Sequence, residues 1–266
     1  MGSATREALA SSKTALAALP AGALTLSTGE DLFAAGRIIG ESAQFRSLLG
    51  DPSTEPQQKK ALINAVFAAG LGADALSLLT AITSAHWSTP DELLAGIEEI
   101  ALRVIAATVP AGTSVESELF AFGEAVASDA GLELAIGSTL GSPSAKVSLV
   151  DALLEGKASE QTVVIVRHLV QQPRGRRIAE LLGRAADIVA DAANQSIATV
   201  TSATAIAPEQ LARLTSALGR SYGRELKINQ IVDPTILGGL RVEIGDDVID
   251  GSIEARLNDL RQKLAG

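Results

Sequence analysis

The 266-residue sequence has no cysteine, which removes disulfides, thiolate nucleophiles, iron–sulfur ligation and cysteine-based zinc sites together. A cytosolic compartment fits that composition. Aromatic residues make up only 3%, and histidine occurs twice, at His86 and His168. Neither has a second histidine or a carboxylate at the three- or four-residue spacing that puts metal ligands on one helix face. A basic surplus is missing too. With a net charge of -9 and a pI near 4.8, nucleic acid is not an expected partner, because backbone binding depends on Lys and Arg neutralising phosphates. Direct adhesion to anionic lipid is disfavoured for the same reason. Long apolar runs are also lacking: none approaches the ~18 residues of a membrane span. The apolar tract from Ala15 to Leu26 is broken by Pro20 and Gly22 and follows both Arg6 and Glu7, so a signal peptide is not expected. Any encounter with a membrane is expected to run through a partner.

What the sequence does have is Ala and Leu. Hydrophobic residues reach 47%, and these two strong helix formers supply much of that share. The chain is long enough for two modest domains, and a mainly α fold is expected. A repeat runs through it at an offset of 87: Leu32-Phe33-Ala34 returns as Leu119-Phe120-Ala121, Gly36 as Gly123, Leu62-Ile63-Asn64-Ala65 as Leu149-Val150-Asp151-Ala152, and Leu76–Leu79 as Val163–Val166. The turns Gly50-Asp51-Pro52 and Gly141-Ser142-Pro143 match at 91 instead, which reads as a small insertion with a compensating deletion. Order preserved across three blocks points to a duplicated helical bundle.

Leu93, Leu94, Ile97, Ile100, Ala101, Val104 and Ile105 form one helical stripe, with Glu92, Glu98, Glu99 and Arg103 mostly off it. Thr89-Pro90-Asp91-Glu92 supplies a cap, a proline suited to the first turn and two acids for the positive helix end. Val109-Pro110-Ala111-Gly112 ends this helix. Ile178, Leu181, Leu182, Ala185, Ile188 and Val189 repeat the pattern up to about Ala193. After Asn194 the texture becomes β-branched. Ile197–Thr201 predicts a strand, Pro208–Tyr222 a helix built on Leu211, Leu214 and Leu218, and Leu226–Val232 and Gly239–Ile244 two further strands. Asp246-Asp247 predicts a turn, and a final helix is expected from the Ser252 cap with Ile253, Leu257, Leu260 and Leu264 inward. The expected domains are therefore 1–112 and 113–194, both helical, and 195–266, a small α+β domain.

Candidate chemistry is sparse. Gly238 and Gly239 with Gly245 do not make a phosphate loop, because no nucleotide-binding glycine pattern stands between strand and helix; glycines for a tight turn suffice. Trp87 is expected to cover a core edge. Gln172-Pro173-Arg174-Gly175-Arg176-Arg177 is the densest basic cluster, able to clamp carboxylates or a phosphate, with a solvated loop as the expectation. Asp246, Asp247 and Asp250 lack the spacing of a calcium loop. No catalytic, cofactor-binding or metal-ligating residue is assigned, and no cofactor is expected.

One segment carries a specific resemblance. Val232-Asp233-Pro234-Thr235-Ile236-Leu237-Gly238-Gly239-Leu240-Arg241-Val242, then Gly245-Asp246, then Val248-Ile249-Asp250-Gly251-Ser252, resembles in order and spacing the closing motif of the delta subunit of bacterial F-type ATP synthases. The mitochondrial oligomycin-sensitivity-conferring protein belongs to the same family. With Thr201-Ser202-Ala203 and the following Leu-rich helix the likeness spans about seventy residues, and Asp233, Pro234, Gly238, Gly239, Gly245, Asp250, Gly251 and Ser252 carry the structural part of the motif. The second helical unit departs from the family's usual single N-terminal domain and matches its longer actinobacterial forms.

The resemblance implies a non-catalytic stator subunit of the proton-translocating enzyme. The helical part would bind the alpha-subunit N-terminal helices on the alpha/beta head, and the C-terminal domain would grip the end of a separate b subunit. The protein would sit on the cytoplasmic face of the membrane through that complex. The alternative from another class is a small-molecule enzyme with a site between the helical units, using Arg174, Arg176 and Arg177 on an anionic substrate. No nucleophile or acid/base pair appears as a motif to support it.

Overall fold

The computed structural model describes residues 2–137, 141–193, 195–223, 225–236, 238–244 and 247–251, and divides into two compact units, 1–189 and 190–266. In the first unit, α1 (Ser3–Ala17) leads into two helix series in the same order. One is α2 (Leu26–Glu41), α3 (Ala43–Gly50), α4 (Pro56–Phe67), α5 (Ala73–Ser84) and α6 (Pro90–Ala106); the other is α7 (Val115–Ser128), α8 (Ala130–Gly137), α9 (Pro143–Leu154), α10 (Glu160–Gln171) and α11 (Ile178–Ala192). The last turn of α11 crosses into the second unit.

The helices α3, α4 and α5 stand 87 residues before α8, α9 and α10 at both ends. This corrects the expected slip of register. Pro56 and Pro143 both occupy the first turn of their helices, so the counterpart of Gly141-Ser142-Pro143 is Thr54-Glu55-Pro56, and no insertion is needed. The connection before α11 is one residue longer than that before α6, which moves the last pair to 88.

Helix starts follow from local chemistry. Thr25, Ser42, Thr89, Ser142 and Ser159 each accept a backbone N–H of the first turn, satisfying donors that have no intrahelical acceptor. The core of the unit is aliphatic, with Leu32, Ile39, Leu78, Leu79, Leu93 and Ile100 fully buried in the first series and Leu119, Val150, Ile165 and Val166 in the second. The α6 stripe is broader than its sequence pattern suggests. Glu98 and Glu99 are 4% and 7% exposed, because α6 packs against α1, α2, α3, α5 and α10, and cover on so many sides leaves no polar face.

The second unit holds β1 (Gln195–Ser202), α12 (Pro208–Tyr222), β2 (Glu225–Val232), β3 (Leu240–Ile244) and β4 (Asp247–Asp250). The sheet order is β2-β1-β3-β4. β1 and β2 are parallel, so the chain must cross over between them, and α12 is the crossover. β3 runs antiparallel to β1, and β4 to β3. Ala198, Val200, Leu218, Leu226, Val242 and Ile244 form the core, with Leu214 and Tyr222 against it. β4 is an addition to the expected elements: where a turn was predicted at Asp246-Asp247, Asp247 already pairs with Ile244. All four of its residues are exposed, so it has no alternating apolar signal. The expected final helix from Ser252 lies outside the described residues, as do Gly245 and Leu237.

Candidate functional site

Three features stand out: the motif turn in the second unit, a charged cluster inside the first, and exposed apolar side chains on both.

The motif turn joins β2 to β3. Asp233 N–H donates to the Ser202 carbonyl at 2.9 Å, fastening the turn to the end of β1. Its carboxylate accepts the Thr235 N–H at 2.9 Å and the Thr235 hydroxyl at 2.7 Å, and these two bonds hold it below the usual carboxylate range. Pro234 follows with its φ fixed by the ring. Gly238 and Gly239 have φ of 84° and 87°, a region that a Cβ makes costly. Further on, Gly251 N–H donates to the Leu240 carbonyl at 2.8 Å, and a Cβ on Gly251 would lie 3.1 Å from that oxygen. Asp250 stands opposite Arg241 in the β3–β4 register. Gly245 and Ser252 lie outside the described residues.

The basic cluster is not a solvated loop. Arg176 holds the buried Glu98 carboxylate bidentately, Nη1 to Oε1 and Nη2 to Oε2, both at 3.0 Å, and Arg174 Nη2 donates to Oε2. Arg177 is not part of this arrangement. His168, 3% exposed, completes it: its ring stacks on Phe33 with centroids 3.8 Å apart and planes 5° from parallel, and Nε2 lies 3.4 Å from Glu98 Oε2. Nδ1 lies 3.4 Å from Arg37 Nη1, and a guanidinium can only donate. Nδ1 is therefore the acceptor and Nε2 carries the proton toward Glu98, a neutral imidazole that agrees with burial pushing His168 below its ordinary value. Burial opposes ionisation of Glu98, yet hydrogen bonds from His168 and Arg176 and the charges of Arg174 and Arg176 outweigh it and hold the carboxyl far below its usual range. The sequence signal for this cluster was the arginine run itself; Glu98, seventy-six residues from Arg174, gave none.

Trp87 is 3% exposed and its Nε1–H donates to the Ile82 carbonyl at 2.8 Å, so it belongs to the core rather than its edge. His86 is exposed. Among the described residues no cluster of three metal-ligating side chains exists, and no helix is long and apolar enough to cross a membrane. Large apolar side chains are exposed at Ile38, Leu48, Val66 and Leu134 in the first unit and at Ile231, Val232, Val248 and Ile249 on the two edge strands of the second.

A family model described as ATP synthase delta (OSCP) subunit matches residues 101–264, well over half of the chain. The chain belongs to the ATP synthase delta subunit family. It is 53% identical over 266 residues, all of both chains, to the ATP synthase subunit delta of Leifsonia xyli subsp. xyli. It is 38% identical to that of Kineococcus radiotolerans, over 90% of this chain and 88% of the relative, and 35% identical to that of Thermobifida fusca, over 91% of each. A chain of the cryo-EM structure of the Toxoplasma gondii mitochondrial ATP synthase hexamer is similar over 63% of this chain and 95% of that one, at 22% identity and a TM-score of 0.41. Membership makes this a non-catalytic peripheral-stalk component of ATP synthase, and with it the enzyme alternative built on Arg174, Arg176 and Arg177 falls away.

Proposed function

We propose that the delta-family chain works as the stator connector between the alpha/beta catalytic head and the b subunit, on the cytoplasmic face of the membrane and held there through the complex. The observation that carries this reading is similarity to a delta subunit over the full length of both chains. In it, the helical segments 1–112 and 113–194 receive the alpha-subunit N-terminal helices and segment 195–266 holds the end of b. Amphipathic partner helices need apolar anchors at helical spacing; Ile38 and Val66 offer them in the first series and Leu134 in the second. The edge strands offer Ile231, Val232, Val248 and Ile249, exposed apolar residues of the kind that mark a docking surface. Asp233, Pro234, Gly238, Gly239, Gly245, Asp250, Gly251 and Ser252 act in this reading by shaping that surface rather than by touching substrate. Two sites on one chain add avidity, because the first contact makes the second intramolecular.

Deleting residues 1–112 would not test this cleanly, since it removes Glu98 from beneath Arg174 and Arg176. Surface variants do. Calorimetry of the intact chain against the cognate alpha/beta head, and separately against the C-terminal segment of b, is expected to show both interactions. Ile38→Glu with Val66→Glu, or Leu134→Glu, is expected to weaken the head alone, and whichever does so identifies the series that faces it. Ile231→Glu with Val248→Glu is expected to weaken b alone. An intact chain that binds neither would sink the reading.

A further inference from the structure

The seam between the two helix series holds a cavity of about 460 Å³ lined by Gly40, Arg46, Asp91, Leu94, Ala95, Gln172, Arg174, Arg176 and Arg184. Four guanidiniums converge on it, against Asp91 on the lining and Glu98 beneath. The local balance is two positive charges, inside a chain whose net charge is -9. Neither acid neutralises the rest: Asp91 is 85% exposed and lies 3.9 Å from Arg46, so that pair is weak, and Glu98 is already shared by two arginines.

The arginines are held in place. Glu98 fixes the forks of Arg174 and Arg176 from below, so ordering them costs a ligand little. Arg174 sits at φ 49°, the one non-glycine residue with positive φ among those described, a strained conformation kept by the surrounding contacts. The Nε groups of Arg46 and Arg174 are buried without a hydrogen-bond acceptor. A buried donor left unpaired is destabilising, a cost that the surrounding contacts offset. The guanidinium forks of Arg46 and Arg184, which Glu98 does not occupy, can match a tetrahedral oxyanion bidentately, with Arg174 and Arg176 adding charge. The rest of the lining has no aromatic ring on which a base would stack.

We propose that this cavity is a binding site for a small phosphate-bearing anion, recognised through its phosphate oxygens by Arg46, Arg174, Arg176 and Arg184. The ligand chemistry is that of inorganic phosphate, pyrophosphate or the polyphosphate tail of a nucleotide. The lining shares no residue with the exposed apolar side chains assigned to the partners.

The test is calorimetry of the full chain, in phosphate- and sulfate-free buffer at fixed ionic strength so that screening stays constant, with phosphate, pyrophosphate, ADP, ATP, adenosine and glutarate as probes. Saturable one-to-one binding of pyrophosphate, with a rise in melting temperature, is expected. Arg46→Gln and Arg184→Gln leave the Glu98 pairs intact, so each should weaken binding at least tenfold without lowering the melting temperature of the ligand-free chain; Asp91→Asn should tighten it. Pyrophosphate and ATP binding alike, with adenosine silent, would identify the phosphates as what is read. ATP binding without pyrophosphate would place the nucleotide as the source. The proposal is overturned by no saturable binding of phosphate, pyrophosphate, ADP or ATP at millimolar concentration, by binding that survives in the Arg46→Gln/Arg184→Gln double variant, or by glutarate binding as tightly as the phosphate-bearing probes.

Discussion

The two helix series of the first unit share a plan and differ in how it is filled. In both, an acid on the opening helix reaches forty-one residues on and caps the fourth: Asp31 Oδ2 accepts the Gly72 N–H at 2.8 Å, and Glu118 Oε2 accepts the Ser159 N–H at 2.9 Å. Both pairs stand 87 residues apart, as do the buried lysines Lys59 and Lys146. The filling diverges. Phe45 and Phe67 stack at 6.1 Å in the first series, whereas their counterparts are Leu132 and Leu154, which line an apolar cavity of about 420 Å³ beside Ala121 and Phe122. Glu98 is a buried charge where the corresponding residue of α11 is the buried Ala186. A plan carried by helix ends and caps tolerates this exchange of fillers, because capping depends on a few side chains whereas packing is negotiated among all the neighbours.

The sharpest way to break the comparison is at Glu98, which exists in one series and takes its partners from the other. Glu98→Ala strands two guanidiniums and should cost about 3–5 kcal/mol, read as a fall in melting temperature on the order of 10 °C. Ala186→Gly in the second series should cost only about 1 kcal/mol. The pairing also makes stability acid-sensitive in two steps. Burial lowers His168 from 6.5, so below that pH the unfolded chain takes up a proton that the folded chain, with Glu98, Arg37 and Arg174 around the ring, resists. Stability should therefore fall as pH drops beneath about 6.5, by at most ~1.4 kcal/mol per pH unit. Glu98, held below its ordinary 4.5, contributes fully above that value and loses its contribution as pH falls further. Urea titrations between pH 7.5 and 5 should show the first slope in the native chain and not in His168→Gln.

Gly96 and Gly183 test packing in the two closing helices. A Cβ on Gly96 would lie 2.0 Å from the Trp87 ring, while one on Gly183 would meet nothing within 4 Å. Gly96→Ala should therefore destabilise by about 1–3 kcal/mol despite its better helix propensity, and shift the Trp87 fluorescence. Gly183→Ala should stabilise by up to ~1 kcal/mol, measured by thermal melting.

Exchanging the fillers sharpens the same comparison. Phe45→Leu with Phe67→Leu should cost about 1–2 kcal/mol, and Leu132→Phe with Leu154→Phe should recover part of that in the second series by filling its cavity. If the second exchange destabilises as much as the first, the two sites are not equivalent. The Asp31 cap is the smallest test. Asp31→Ala should cost about 0.5–1 kcal/mol. Glu118→Ala should cost more, about 1–2 kcal/mol, because Glu118 also accepts from the Ser159 and Thr162 hydroxyls. Denaturant midpoints decide between them.

Elements with strong local signals were legible. The helices starting at Pro90 and Pro208, the α11 stripe and the first three strands fall within a residue or two of their expected places, since caps, prolines and periodicity act over a few residues. The Gly50 and Gly141 turns misled because Gly-Asp-Pro and Gly-Ser-Pro look alike, although the prolines that start α4 and α9 are Pro56 and Pro143. β4 was missed because all four of its residues are exposed and none alternates.

The sequence by itself determined the helical class, the 87-residue spacing, the α+β ending and, through the Asp233–Ser252 motif, the family. Those properties reside in local propensity and in residue order. Only the tertiary structure decided that Arg174, Arg176 and His168 meet Glu98, that Glu98 and Glu99 are interior, and that four arginines share one cavity. Such groupings depend on which helix faces the chain brings together across seventy residues or more, and a charged side chain in the sequence carries no mark of whether its surroundings will be water or protein.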